Sequence, residues 1–240
     1  MTSVRRALLA IIASSPACAA APTIQLTTPP PLRDSIAAMP QIAAPTNDSE
    51  RRINAALQAL DANLEKAVAA CKGGDWQRSV ETPMAGAGYL SLVITDSYAC
   101  DDAAHPDTAT SAIVYDLSTG RPVNWSRLLP PGLTGEQTLV EAGGSRMVAL
   151  SSKHLFQLYM DGYTDGGATG QDLADCKEAL RAGGDTPPPA NVWLDAKRHG
   201  LAVEIELPHA VAACEDFVVI PVEELKREGA SAALVKALMQ

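Results

Sequence analysis

The sequence predicts an α+β domain: a mainly antiparallel sheet with a long N-terminal helix and further helices packed on it, held by two disulfides. Three observations carry this. Ile53, Leu57, Leu60, Leu64, Ala67, Val68 and Cys71 recur at the spacing of one helix face. The strand-like runs that follow are joined by short turns and mixed with helices, with no βαβ regularity. Five cysteines are present, and an N-terminal export signal would remove one, leaving an even number for pairing.

The signal is read from its parts. Arg5 and Arg6 form a basic start, Ala7 to Ala13 a short apolar core, and Ala17-Cys18-Ala19 a small-residue cleavage site. Residues 1–19 are thus expected to be a signal peptide, too short for a permanent membrane anchor. Lipidation at Cys18 is the alternative, although Ser15-Pro16-Ala17 is a poor lead-in for it. The expected location is periplasmic or secreted. Residues 20–38, rich in Pro, Thr and Ala, read as a linker with room for a short strand at Ile24–Leu26. A domain is expected over residues 39–240, with order beginning near Met39.

Within that domain, Asn47 caps the long helix with Glu50 three residues on, and Gly73-Gly74 ends it. Asp75–Glu81 and Tyr89–Tyr98 form a hairpin turning at Ala85 to Gly88. Residue 85.5 is midway between Cys71 and Cys100, so the hairpin's open end brings these two together. By elimination Cys176 pairs with Cys214, although spacing alone allows three connectivities for four cysteines. Their gaps of 29, 76 and 38 residues are not those of a zinc site. Ala112–Leu117 reads as a third strand, followed by a turn at Ser118 to Arg121. Ser145–Met160 and Gln171–Ala182 read as helices. Val192–Asp195 and Leu201–Leu207 form a second hairpin, Phe217–Ile220 a last strand, and Pro221 opens a closing helix.

Several of these landmarks, in order, resemble a known family of exported domains. They are Pro40-Gln41-Ile42 before Ile53-Asn54, the turn Ala104-His105-Pro106, the strand and turn Tyr115 to Arg121 leading to Trp125–Leu129, and Gly200-Leu201. Pro208 to Ala213 and Phe217-Val218-Val219-Ile220-Pro221 before Glu224-Leu225 complete the series. The stretch from about 39 to 228 is similar to the extracytoplasmic domain of the RsiV anti-sigma factor, also found beside the catalytic domain of PdaC-type peptidoglycan deacetylases. The resemblance implies an extracytoplasmic α+β domain of unknown function that binds a partner or cell-wall material, lysozyme in the case of RsiV. The deacetylase pattern, an Asp-Asp pair with a following His-x-x-x-His, is not reproduced: Asp101-Asp102 is followed by the single His105.

Chemistry-bearing residues are few. Asp96, Asp101, Asp102, His105 and Asp107 gather in sequence and form the candidate binding loop, with a solvated acidic turn as the plain alternative. Asp161, Asp165, Gly166, Thr169 and Asp172 partly fit a calcium loop, but Tyr163 stands where an oxygen ligand is needed. His154 reads as a core histidine, and Trp76, Trp125 and Trp193 as core anchors. Neither a nucleophile elbow nor a phosphate-binding glycine loop is seen, so no catalytic residue, metal or cofactor is expected. The chain has 19 basic and 28 acidic residues; without Arg5 and Arg6 this is 17 against 28, a net charge of −11. Such a surface disfavours nucleic acid and attracts cationic partners. The expectation is therefore a non-enzymatic binding domain of the cell envelope, recognising a lysozyme-like cationic protein or peptidoglycan. The alternative is a hydrolase or deacetylase working through Asp101, Asp102 and His105.

Overall fold

A computed structural model describes residues 24–240 except 102–104, 143–144, 165–169, 183–185 and 208. The expected signal peptide and Cys18 lie outside these residues. Strand β1 (Leu26–Thr27) pairs antiparallel with β2 (Gln41–Ile42), so order starts ahead of Met39. The segment expected to be an extended linker is docked from residue 24 onward. Ile36 and Ala38 are buried. Arg78 N–H donates to the Ser35 carbonyl at 3.0 Å and Ala37 N–H to the Arg78 carbonyl at 3.1 Å. The open edge of β3 and the apolar side chains Ile36 and Ala38 dock a Pro-rich arm that composition alone marks as a tether.

Helix α1 (Asp48–Ala70) begins as its capping pattern predicts. The Asn47 side chain accepts from Glu50 N–H at 2.9 Å, and the Glu50 carboxylate reaches back to Thr46 N–H. Ile53, Leu57 and Leu64 are buried along its inner stripe. Asn47→Ala leaves the Glu50 amide without this acceptor and is expected to cost about 1 kcal/mol in a urea denaturation.

The first sheet is antiparallel, in the order β3 (Asp75–Gly86), β4 (Tyr89–Ala99), β5 (Asp107–Asp116), β6 (Arg121–Pro122). Strand β3 runs beyond the expected Glu81 because a register shift between Glu81 and Met84 absorbs Pro83, which has no N–H for the ladder. The turn then narrows to Ala87-Gly88, both at positive φ, as a two-residue hairpin loop requires. Cys71 and Cys100 are bonded at its open end, with Cα atoms 5.0 Å apart. After β5, Gly120 (φ +67°) lies so close to helix α1 that a Cβ would sit 2.3 Å from the Ser49 carbonyl oxygen. Ser49 Oγ donates to the Ser118 carbonyl at 2.8 Å and Arg52 donates to that of Thr119, so the Thr-Gly-Arg turn locks the helix to the sheet.

Short helices α2 (Trp125–Leu128) and α3 (Pro131–Thr134) lead to β7 (Glu136–Ala142) and β8 (Ser145–Ser151). Here the structure corrects the sequence reading: Ser145–Met160 is not one helix. Residues 145–151 pair antiparallel with β7, and helix α4 (Lys153–Gly162) starts only where Ser152 Oγ accepts from Leu155 N–H at 3.1 Å. Helix α5 (Gln171–Arg181) is stapled by Cys176–Cys214 to a 3-10 turn at His209–Cys214. Strands β9 (Ala190–Asp195), β10 (Gly200–Ile205) and β11 (Phe217–Pro221) complete a five-stranded antiparallel sheet in the order β11-β10-β9-β8-β7. Pro221 caps α6 (Val222–Arg227), and α7 (Ala232–Leu238) ends the chain.

Period-two alternation assigns the layers. Leu90, Leu92 and Ile94 of β4 pack with Ile53 and Leu57 of α1, while Tyr89 and Val93 face the second sheet. That sheet turns Leu201, Val203 and Ile205 toward Leu155, Tyr159, Leu225 and Leu234 of the outer helices. The order of layers is helix, sheet, sheet, helices. The α+β class, the antiparallel sheets, the long helix and both disulfides stand as read from the sequence.

Candidate functional site

The two stacked sheets part along one stretch, and the gap between them opens into a cleft of about 460 Å³. Its walls come from five strands: Thr82 and Pro83 of β3, Val93 of β4, Thr110 of β5, Trp193 of β9 and Glu204 of β10. Phe217 of β11 and the β9–β10 turn close one side. The sheets are pinned beside it by three hydrogen bonds, one from Ala196 N–H to the Pro83 carbonyl at 3.2 Å. Leu194 N–H donates to Ser91 Oγ at 3.1 Å, and the Asn191 side chain donates to the Thr110 carbonyl at 2.8 Å.

Glu204 is the unusual group here. Alternation along β10 sends Leu201, Val203 and Ile205 to the helices, and therefore Ala202 and Glu204 to the inter-sheet side. Glu204 Oε2 is buried and has no hydrogen-bond partner among the described residues. Burial pushes this carboxyl up to about 7; the neighbouring Glu215 adds to the effect and the Thr110 hydroxyl opposes it. Glu215 is itself raised by burial, although Leu207 N–H donates to it at 2.7 Å. On the rim, Arg198 is paired with the buried Asp195 at 2.7 Å and lies 5.0 Å over the Phe217 ring, which in turn packs on Trp193 at 5.3 Å. A carboxyl that gives up its proton near neutrality in an aromatic-lined cleft is suited to holding a hydrogen-bond donor or a cation.

The residues picked out from sequence are placed elsewhere. Asp96 is not in a loop: it is a buried residue of β4, on the face toward α1. Its carboxylate takes both Arg78 Nε and Nη2 at 2.8 Å and the Trp76 indole N–H at 2.9 Å. Trp76 stacks on Tyr98 at 4.6 Å, half-buried rather than in the deep core where Trp125 and Trp193 sit. Asp107 accepts from the Tyr98 hydroxyl at 3.1 Å and from Thr108 N–H. His105 is exposed with Nδ1 3.1 Å from the Pro106 carbonyl, and Asp101 N–H donates to the Lys72 carbonyl. Asp102 lies outside the described residues, as do Asp165, Gly166 and Thr169 of the calcium-loop candidate. Among the described residues no group of three or more His, Cys, Asp or Glu could hold a metal ion. His154 is half-exposed and bonded to Glu228 at 2.7 Å, so it is a surface pair rather than a core histidine.

Sequence reasoning missed Glu204. The sequence gives little signal for it: in Gly200–Leu207 the residues Leu201, Val203, Ile205 and Leu207 make one apolar face, and Glu204 shares the other with Gly200, Ala202 and Glu206. No helix of the described residues is long and apolar enough to cross a membrane.

No family model and no curated protein matches the sequence. Solved structures do. A member of the DUF3298 family from Bacteroides fragilis aligns at 16% identity, covering 78% of this chain and 68% of its own, with a TM-score of 0.48. A DUF3298 family protein from Pseudomonas aeruginosa PAO1 aligns at 12% identity, covering 81% of this chain and 84% of its own, with a TM-score of 0.51. The likeness to the Pseudomonas protein is one of fold.

Proposed function

We propose that this chain is a non-enzymatic, exported binding domain of the cell envelope, of the RsiV-like type, and that its partner is a lysozyme-like cationic protein. The observation that carries the reading is the inter-sheet cleft, where a Glu204 carboxyl oxygen has no partner among the described residues, on a chain with 28 acidic and 19 basic residues. Two disulfides fit an oxidising compartment, and the sequence begins with the features of an export signal. Of the candidate loop's aspartates, Asp96 is held by Arg78 and Asp107 by Tyr98.

Charge-driven association of this kind is steep in salt. Calorimetry of the oxidised domain with lysozyme at low ionic strength is expected to show saturable binding that weakens at least tenfold at physiological salt. Sedimentation with purified peptidoglycan is the parallel arm. Capture by peptidoglycan alone would move the partner from protein to polymer, and binding to neither would end the proposal.

A further inference from the structure

We infer that the Glu204 cleft is a receptor for one lysine-type primary ammonium, presented by a partner polypeptide. This rests on the binding-domain reading above and names the group recognised. Three observations converge on it. The acceptor is a single oxygen: Thr110 supports the carboxylate, while Oε2 is buried with no partner among the described residues. A lone acceptor suits a compact ammonium with rotatable donors better than a guanidinium, which favours two parallel acceptors. The walls beside it, Val93, Trp193 and Phe217, are apolar and match the methylene stem of a lysine rather than its head.

Third, the charges facing the cleft are out of balance. Glu206, Glu215 and Asp216 all act on Glu204, and the Tyr159 hydroxyl of α4 is also within its field. Asp107 of β5 acts on Glu215 from the other sheet. On the open side Arg198 is neutralised by Asp195, and Lys197 and Glu81 are the remaining charges of the lining. An added cation relieves this surplus. No bond is made or broken on binding except that Glu204 releases its proton to solvent.

The probe is Nα-acetyl-lysine methylamide, with the norleucine analogue as its uncharged isostere, titrated into the isotopically labelled oxidised domain. At pH 8 the lysine probe is expected to shift the Trp193 indole and Thr110 resonances with millimolar affinity, and the norleucine probe to leave them in place. Lowering the pH to 6 should weaken binding about tenfold, since Glu204, which titrates at about 7, goes from mostly charged to mostly neutral. Glu204→Gln should abolish the response while the rest of the spectrum stays folded; Glu204→Asp should keep a weakened, still pH-dependent one. Equal binding of both probes, or an unchanged lysine response in Glu204→Gln, overturns the assignment. If lysozyme binds wild type and Glu204→Gln alike, the cleft is wrong and the broader function stands. If the lysine probe binds and no envelope partner does, the reverse holds.

Discussion

Arg78→Met is expected to destabilise the domain by about 3–5 kcal/mol, the largest effect of any single change considered. Arg78 and Asp96 are cross-strand partners on β3 and β4, and each side chain is only 2% exposed. Two charge-assisted hydrogen bonds of 2.8 Å join them, and the Trp76 indole adds a third to the carboxylate. Removing the guanidinium leaves a buried carboxylate with one neutral donor, which must either stay charged in an apolar setting or take up a proton. Backbone effects are small, because the bonds from Arg78 to Ser35 and Ala37 do not use its side chain. A pair of this kind costs much to break and little to replace, so Arg78→Met with Asp96→Leu should recover most of the loss. Urea denaturation of wild type and the two variants, with the disulfides intact, measures this; a single-variant loss below about 1 kcal/mol would show that the pair is wet rather than buried.

The second large effect concerns Glu204 and pH. Its carboxyl titrates at about 7 in the folded chain against an ordinary glutamate value of 4.5. The folded state therefore holds a proton that the unfolded chain has already lost between these values. Stability is unaffected by this group below 4.5 and falls as pH rises through 7, by an amount on the order of 3 kcal/mol once ionisation is complete. Glu215, raised by burial too, acts in the same direction. Glu204→Gln should thus match wild type near pH 4.5 and exceed it by about 2–3 kcal/mol at pH 8, with a residual slope from Glu215. Denaturation midpoints across that range test it, and parallel curves for the two proteins would remove the buried charge from the account. A domain that keeps this cost at neutral pH is in the state that a bound cation would relieve, which links the stability result to the cleft.

Some of the molecule is written in short-range pattern. The helix from Asp48 needed only Asn47, Glu50 and the Ile53, Leu57, Leu64 stripe, all within one segment. The hairpin and the Cys71–Cys100 bridge followed from the position of one turn, and the second bridge followed by elimination. Residues 145–160 failed for a reason of the same kind. Val148, Leu155 and Tyr159 fit a helical period by chance, while the pairing that makes 145–151 a strand comes from β7 across a turn. The Pro-rich arm has the composition of a tether, but Ile36 bridges to Arg78 on the open edge of β3, 42 residues further along the chain.

What the sequence determined by itself was therefore the α+β class, the capped helix, both disulfides and the excess of acid. Only the tertiary structure decided which carboxylates matter. Asp96 looked like part of a polar loop and became one half of a buried ion pair, because Arg78 is opposite it in register. Glu204 looked like an ordinary strand residue and became the base of a cleft, because a second sheet covers its face. The reason is physical: period and capping act through neighbours in the chain, whereas desolvation and charge pairing depend on what other segments bring within a few ångströms.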